Sequence, residues 1–313
     1  MTQGTVVALC GGVGGVKLAW GLAQVLSPAQ LTIAVNTGDD FTHLGLHISP
    51  DVDTVMYTLA GCQHREQGWG LANETWQCMA ALEALGGDTW FRLGDRDLAT
   101  HLYRTQQLAA GASLSAVTAQ LCRQHGVQHR VVPMSDQFVR TCVMTERGEL
   151  SFQDYFVRHR CEPRVLSVRY HGAEHAQPSP VLTAALADPA LRAVIVCPSN
   201  PMLSIAPLLA MPDLHQQLRA LRDKVWVVSP LVGGQAIKGP TAKLLQELGM
   251  ACDANSIASF YQDVAATLVV DECDAAAPAP ARMALQVART WMKTNEDKTY
   301  LARQLLAIIN ELR

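Results

Sequence analysis

The sequence has no closely spaced cysteines. Its nine are scattered over 313 residues, neighbours are at least sixteen positions apart, and none forms a CxxC pair. That excludes a zinc knuckle or a disulfide frame and points to reduced thiols, hence to a cytoplasmic location. No apolar stretch approaches the ~20 uninterrupted residues of a membrane-spanning helix. Met1 leads directly into an apolar strand and glycines, without the basic start and small-residue cleavage site of a signal peptide. Charge is also scarce: 17% of residues are charged, the formal net charge is -3, and no run of lysine and arginine stands out. Nucleic acid is therefore not an expected partner. There is no internal repeat, low-complexity tract or long linker, and Ala275 to Ala281 is the one Ala/Pro-rich connector.

What is present is apolar: 49% of the chain, ordinary for a soluble globular protein of a size that buries a large core. Short β-rich runs at Thr5–Leu9, Leu31–Val35, Arg130–Pro133, Ala193–Cys197, Val225–Val228 and Thr267–Val270 alternate with helical patterns. The helices are expected at Val16–Leu26, Asp51–Ala60, Thr75–Leu85, Leu98–Ala110, Ser113–His125 and about Asp297–Leu312. Such alternation predicts an α/β protein with an open, mostly parallel, Rossmann-like sheet. Thr141–Phe152, broken at Glu146–Glu149, reads as a hairpin, and with Arg164–Tyr170 it predicts a smaller inserted region. The expected organisation is a core of residues 1–130 and 185–313 and a β-rich insertion at 131–184.

Chemistry concentrates at strand ends. Cys10-Gly11-Gly12-Val13-Gly14-Gly15 follows the first strand and precedes a helix, the arrangement in which bare N–H groups and a helix dipole meet a phosphate or a flat ring. Gly12, Gly14 and Gly15 are the candidate contacts. The loop lacks the Lys-Ser/Thr ending of a Walker loop and is not a GxGxxG, and a tight strand-to-helix turn without ligand is the plain alternative. Four aspartates, Asp39, Asp40, Asp51 and Asp53, fall within fifteen residues around the end of the second strand. Two carboxylates about 4 Å apart repel by roughly 1–4 kcal/mol. A divalent ion reverses that sign, so this loop is a candidate Mg2+ site. The simpler reading makes Asp39 and Asp40 turn residues after Gly38 and Asp51 a helix N-cap after Pro50. His101 and Arg104, three apart, share one helix face, as would a solvated charged face. Tyr155, Phe156 and Arg158 line a groove or pack in the core. Ser199, Asn200, Gly233, Gly234 and Lys238 sit after apolar strands, on the edge where open α/β sheets hold phosphates or a nucleotide base.

Taken in order, GGVGGVKL, NTGDDF, SPDVDTVMYTLAG, WFRLGDRDLATHLYRT, PSNP and SPLVGG resemble the 2-phospholactate transferase family over nearly the whole chain. The resemblance implies a Rossmann-like domain with a smaller inserted region, usually dimeric, with magnesium at the site. It implies transfer of a phosphorylated three-carbon acid from a GDP-linked donor to the ribityl 5'-hydroxyl of 7,8-didemethyl-8-hydroxy-5-deazariboflavin (Fo). GMP is released, and the product belongs to biosynthesis of the deazaflavin coenzyme F420. The acid differs among members: 2-phospholactate, phosphoenolpyruvate or 3-phosphoglycerate. Carried over onto matching positions, Asp53 and Arg92 contact the deazaflavin. Asp39 and Asp53 are the expected Mg2+ ligands with Asp40 close behind, and His101 and Arg104 are candidate substrate contacts. Ser199-Asn200 and Gly233-Gly234 form the guanine-nucleotide side. An Asp53→Asn variant is expected to keep the fold and lose turnover. The family's RGWG reads Gln67-Gly68-Trp69-Gly70 here, and its late threonine-x-methionine is Thr290-Trp291-Met292. Two alternatives remain: a non-catalytic nucleotide or sugar-nucleotide-binding regulator of related fold, and a nicotinamide oxidoreductase. The second wants an acid ending the second strand, where Asn36-Thr37-Gly38 stands instead.

Overall fold

The computed structural model describes residues 4–237, 239–276, 278 and 282–312. Strand β1 (Thr5–Cys10) leads into helix α1 (Gly12–Val25) and back to β2 (Leu31–Val35). A small hairpin, β3 (Phe41–His43) and β4 (Leu46–Ile48), precedes α2 (Pro50–Leu59), α3 (Gln77–Ala84), α4 (Asp95–Ala109) and α5 (Leu114–Gln124). Then come β5 (Arg130–Pro133), β6 (Arg140–Thr145), β7 (Gly148–Ser151) and β8 (Val165–His171), the last two separated by a π-helical turn at Asp154–Arg158. Helix α6 (Pro180–Leu186) returns the chain to β9 (Leu191–Val196). A second π-helical turn, Pro201–Ile205, runs into α7 (Ala206–Leu209), α8 (Pro212–Ala220) and β10 (Val225–Val228). The remainder is a tight hairpin of β11 (Leu231–Val232) and β12 (Gln235–Ala236), α9 (Thr241–Glu247), α10 (Ala254–Tyr261), β13 (Thr267–Asp271), β14 (Ala284–Ala288) and α11 (Asn295–Glu311).

Seven strands form one sheet in the order β14-β13-β10-β9-β1-β2-β5. Every pairing in it is parallel. A strand buried on both faces must be apolar at every position rather than at alternate ones, which is why the central strands read as unbroken Val/Ile/Ala runs. Alternate side chains then serve opposite layers. Val6, Ala8 and Cys10 pack with α1, α2, α5 and α11, whereas Val7 and Leu9 pack with α6, α8 and α10. Helices α1 and α11 touch closely: a Cβ on Gly21 would lie 2.2 Å from the Lys298 carbonyl oxygen. Strand β14 escaped the sequence reading because Ala284–Ala288, a half-exposed edge strand, lacks the β-branched run of its neighbours.

The smaller sheet is antiparallel, in the order β7-β6-β8. It occupies residues 140–171, inside the segment expected as the insertion. On either side of it, Val131–Pro133 pair with β2 in the main sheet and Leu182 of α6 joins the main core. Lys243 of α9 ties it down, donating to the Tyr155 hydroxyl, the Pro163 carbonyl and the Glu247 carboxylate, which itself accepts from the Val165 N–H. Among the described residues no helix is long and apolar enough to cross a membrane.

The topology fixes where a ligand goes. From β1 the chain builds the sheet one way through β2 to β5, then crosses to β9 and builds it the other way. The carboxyl ends of β1 and β9 therefore flank a switch point, and the crevice outside them is the binding place of open α/β sheets.

Candidate active site

The glycine run is what lets the two strand ends meet. Helix α1 starts at Gly12, four residues earlier than the periodicity predicts, with Gly11 as a cap that uses no side chain. Gly11 donates its N–H to Ser199 Oγ at 3.3 Å. A Cβ on Gly14 would sit 2.6 Å from the Pro198 carbonyl oxygen, one on Gly15 2.1 Å from Ser199 Oγ, and one on Gly11 2.6 Å from Asp51 Oδ2. Bare backbone is thus required for contact between the helix start, the loop after β9 and α2. Gly12 and Gly14 line the resulting cleft of about 640 Å³; Gly15 lies beneath it, against Ser199 and Cys10.

All four aspartates are buried, between 4% and 6% exposed, but they do not form one cluster. Asp39 and Asp51 both line the cleft, and the charge of Asp51 bears on Asp39. Asp51 accepts from Asn36 Nδ2 at 3.0 Å and from the Gly12 N–H, yet burial pushes its carboxyl up to about 6. Burial and then the Asp51 charge hold Asp39 well above the usual carboxylate range, and its Oδ1 has no hydrogen-bond partner among the described residues. Asp51 is not a cap, as the simpler reading had it: Ser49 holds that position and Asp51 belongs to the first turn of α2. Asp40 turns away from the cleft to accept from Ser49 Oγ at 2.6 Å and pair with His47 Nε2 at 3.1 Å; burial raises its pKa.

Asp53 is neutralised from within the protein. Arg104 Nη1 donates to its Oδ2 at 3.0 Å and Nη2 donates to Oδ1, a forked pair occupying both oxygens. Burial opposes the charge of Arg104, but the Asp53 carboxylate more than offsets that and raises its pKa. His101 stands between two acids, Nδ1 3.7 Å from Asp53 Oδ2 and Nε2 3.4 Å from Asp97 Oδ2. The Tyr57 hydroxyl donates to Asp97 Oδ1 at 2.7 Å. Burial alone would raise the Asp97 pKa; His101, Tyr57 and Arg104 reverse the sign and lower it. His101 and Arg104 are 1% and 0% exposed, so the solvated-face reading fails. His101 lines the cleft along with Asp39, Asp51 and Asp53; Arg104 does not, and reaches it only through Asp53.

The opposite wall is aromatic. Phe91 packs edge-on with Phe41 and His43, Trp90 packs edge-on with His43 and tilted against Phe41, and Phe152 stacks on Phe156 with ring centroids 5.3 Å apart. Arg158 lies over Trp90 and pairs with Asp88 at 3.1 Å, while Tyr155 is core rather than wall. Arg92 lines the cleft with its guanidinium over Trp76. The third side is Thr290-Trp291-Met292, whose backbone is held by Asp271 Oδ2 accepting from the N–H groups of Thr290 and Trp291 and by Lys17 Nζ donating to the Met292 carbonyl.

On the expected nucleotide side, Ser199 and Asn200 line the cleft, Asn200 with its Oδ1 already capping Met202 and Leu203. Gly233 and Gly234 do not line it. They form the turn between β11 and β12, with φ of +59° and +68°, and donate their N–H groups to Asp274. Lys238 lies outside the described residues. Sequence reasoning missed Asn36, Tyr57 and Asp97; for Asp97 the i, i+4 spacing to His101 on α4 was the available signal.

A hard divalent cation fits Asp39 and Asp51. Two buried carboxylates repel there, one oxygen lacks a partner, and oxygen ligands alone are what Mg2+ takes. Asp53, with both oxygens on Arg104, fits that role less well than expected.

The family described as 2-phospho-L-lactate transferase CofD matches residues 6–310. A phosphoenolpyruvate transferase of Kitasatospora aureofaciens is 39% identical over 318 residues, covering 98% of each chain. A 2-phospho-L-lactate transferase of Methanococcoides burtonii is 35% identical over 306 residues, covering 97% of this chain and 99% of its own. A crystal structure of a UPF0052 family member from Bacillus halodurans superposes with a TM-score of 0.60 at 12% identity, covering 98% of this chain and 99% of that one, and shows the shared fold. With motifs, fold and sequence in agreement from one end to the other, the chain belongs to the 2-phospho-L-lactate transferase family and is a transferase.

Proposed function

We propose that this transferase moves a phosphorylated three-carbon acid (2-phospholactate, phosphoenolpyruvate or 3-phosphoglycerate) from a GDP-linked donor to the ribityl 5'-hydroxyl of Fo, releasing GMP, in coenzyme F420 biosynthesis. The observation that carries this reading is a single cleft with two unlike walls. Buried acids and the N-terminal turn of α1 form one, and Trp90, Phe91, Phe152 and Phe156 the other. A diphosphate needs the first and a flat tricyclic ring the second.

The hydroxyl oxygen attacks the phosphorus that carries the acid. A new P–O bond forms, the P–O bond to GMP breaks with its electron pair leaving on GMP, and the hydroxyl proton passes to solvent water. Asp53, fixed by Arg104 and His101, accepts a hydrogen bond from the hydroxyl and aims it, and Arg92 holds the ring side. Carboxylates are weak bases at neutral pH, so alignment outranks proton abstraction. The free N–H groups at the start of α1 and the Ser199 hydroxyl meet the diphosphate; Gly233 and Gly234, committed to Asp274, take no part. Asp39 and Asp51 would hold Mg2+, which when bound supplies charge neutralisation at the diphosphate oxygens.

The test is mass spectrometry of the products after each GDP-linked donor is offered with Fo and Mg2+. The reading expects one donor to yield GMP and a phosphodiester of Fo. Absence of a phosphodiester of Fo with every donor, together with no binding of Fo, would overturn the reading.

A further inference from the structure

Away from the cleft, the small antiparallel sheet carries a second group of metal-ligating side chains. Along β6 alternate residues point to opposite sides: Thr141, Val143 and Thr145 are buried against the core, and Arg140, Cys142 and Met144 take the other face. Cys142 pairs with Ser151 of β7 and Arg169 of β8, so Glu149, two residues before Ser151, and His171, two residues after Arg169, share the Cys142 face. Their side chains lean across it from either side. One ligand atom from each of Cys142, Glu149 and His171 lies within 4.8 Å of the others. Glu149 Oε1 and His171 Nε2 are already 3.1 Å apart, and Arg169 reaches only the other carboxylate oxygen, at 4.0 Å.

We propose that Cys142, Glu149 and His171 form a binding site for a thiophilic divalent cation of the Zn2+ class. The donor set is one thiolate, one imidazole and one carboxylate, and three protein ligands plus water complete a tetrahedral shell. Ligand bonds of about 2.0–2.3 Å place such donors roughly 3.3–3.8 Å apart, so no pair needs to close by more than about 1.5 Å. A soft sulfur donor separates this site from the all-oxygen pair Asp39 and Asp51, which takes a hard cation. The buried thiol is pinned on the central strand, whereas Glu149 and His171 are half-exposed, leaving an open path from solvent.

The ion would clamp three strands that bear on the cleft. Next to Cys142, Thr141 donates its N–H to the Gly38 carbonyl at 2.7 Å, one residue before Asp39. Strand β7 runs directly into Phe152 and Gln153 of the cleft wall. Metal at this outer face therefore stiffens both the acid loop and part of the aromatic wall.

The experiment uses the full chain after chelator treatment, without substrates, titrated with Zn2+ by calorimetry and with Co2+ by absorption. The expected result is one equivalent with a thiolate-to-cobalt charge-transfer band. Cys142→Ser abolishes the band, and His171→Ala weakens Zn2+ binding by more than about 100-fold, beyond the range for losing an outer-shell partner. His171 is on the surface, so that variant folds even where Cys142→Ser does not. Asp51→Asn leaves the band unchanged. A cobalt–thiolate band that persists in Cys142→Ser, or Zn2+ affinity unchanged in His171→Ala, overturns the proposal.

Discussion

Replacing Arg104 with methionine tests whether the acid cluster is internally neutralised. The guanidinium is fully buried and spans both oxygens of Asp53, itself 4% exposed. Methionine keeps much of the volume and removes the charge, leaving the carboxylate without its forked cationic partner and with the His101 ring 3.7 Å away. Removing one partner of a buried pair costs about 3–5 kcal/mol. With an unfolding entropy of about 2.1 cal/mol/K per residue, a chain of this length loses about 5–8 °C in Tm. The same reasoning corrects the expectation for Asp53→Asn: that variant strands the guanidinium instead, so it destabilises the fold as well as cutting turnover. The double variant Asp53→Asn/Arg104→Met strands neither charge and should be more stable than the sum of the single losses by about 2 kcal/mol or more. Urea or thermal unfolding of all four proteins without ligands measures the cycle. Arg104→Met within about 1 kcal/mol of the parent, or single losses that simply add, would refute the argument.

Four further outcomes follow from particular contacts. Gly14→Ala drives a methyl toward the Pro198 carbonyl and should cost about 1–3 kcal/mol while lowering kcat per folded molecule. Gly21→Ala, equally crowded but against Lys298 at the α1–α11 contact, should cost stability alone, and steady-state kinetics normalised to folded protein separates the two. Trp90→Ala removes a stacking surface and should raise KM for the deazaflavin by the equivalent of about 1–3 kcal/mol, with the donor KM unchanged. Asp271 is opposed by burial, but its hydrogen bonds from Cys273 and Thr290 win and lower its pKa, so it contributes stability above the unfolded carboxylate value near 4. That contribution is lost as pH falls through the lower folded value; Asp271→Ala should show a shallower acid limb in urea unfolding between about pH 5 and 2, and an unaltered limb sinks the assignment.

The sheet was legible because a strand buried on both faces has to be apolar throughout, and six of its seven strands advertise that. Strand β14 did not: at an edge that constraint lapses, and unlike β5 at the other edge, with Val131-Val132, Ala284–Ala288 holds no run of β-branched residues. The glycine loop and the aspartates were legible as a place in the chain but not as an arrangement. Sequence spacing gave Asp39, Asp40, Asp51 and Asp53 as one group, whereas Arg104 claims Asp53 from a distant helix and His47, on β4 between the two pairs, claims Asp40. Arg104 lies 51 positions from Asp53, on a helix whose moderate polarity suggests a wet face. Long-range pairing of this kind has no local signature. Gly233 and Gly234 failed for the opposite reason: a two-residue hairpin turn and a phosphate loop ask for the same residue type, and only the partner, Asp274, tells them apart.

The division among the aspartates has a chemical consequence. Asp53 faces a fixed cation, so its position is set before any substrate arrives, as a group that must aim a hydroxyl requires. Asp39 feels the charge of Asp51, no cation offsets either acid among the effects that shift them in the described residues, and burial lifts both carboxyls. That pair stores repulsion which a phosphate-bearing ligand alone would worsen and which a divalent cation relieves. The two uses of the same residue type therefore call for opposite neighbours. A positively charged residue introduced on the Asp51 side, for instance Ser204→Lys from the π-helical turn that meets Gly11 and Gly12, should raise apo stability by neutralising the pair and abolish the dependence of turnover on Mg2+ together with turnover itself. Unfolding with and without Mg2+ reads the first effect and product formation the second; a variant that keeps Mg2+-dependent activity would show that the cation sits elsewhere than on Asp39 and Asp51.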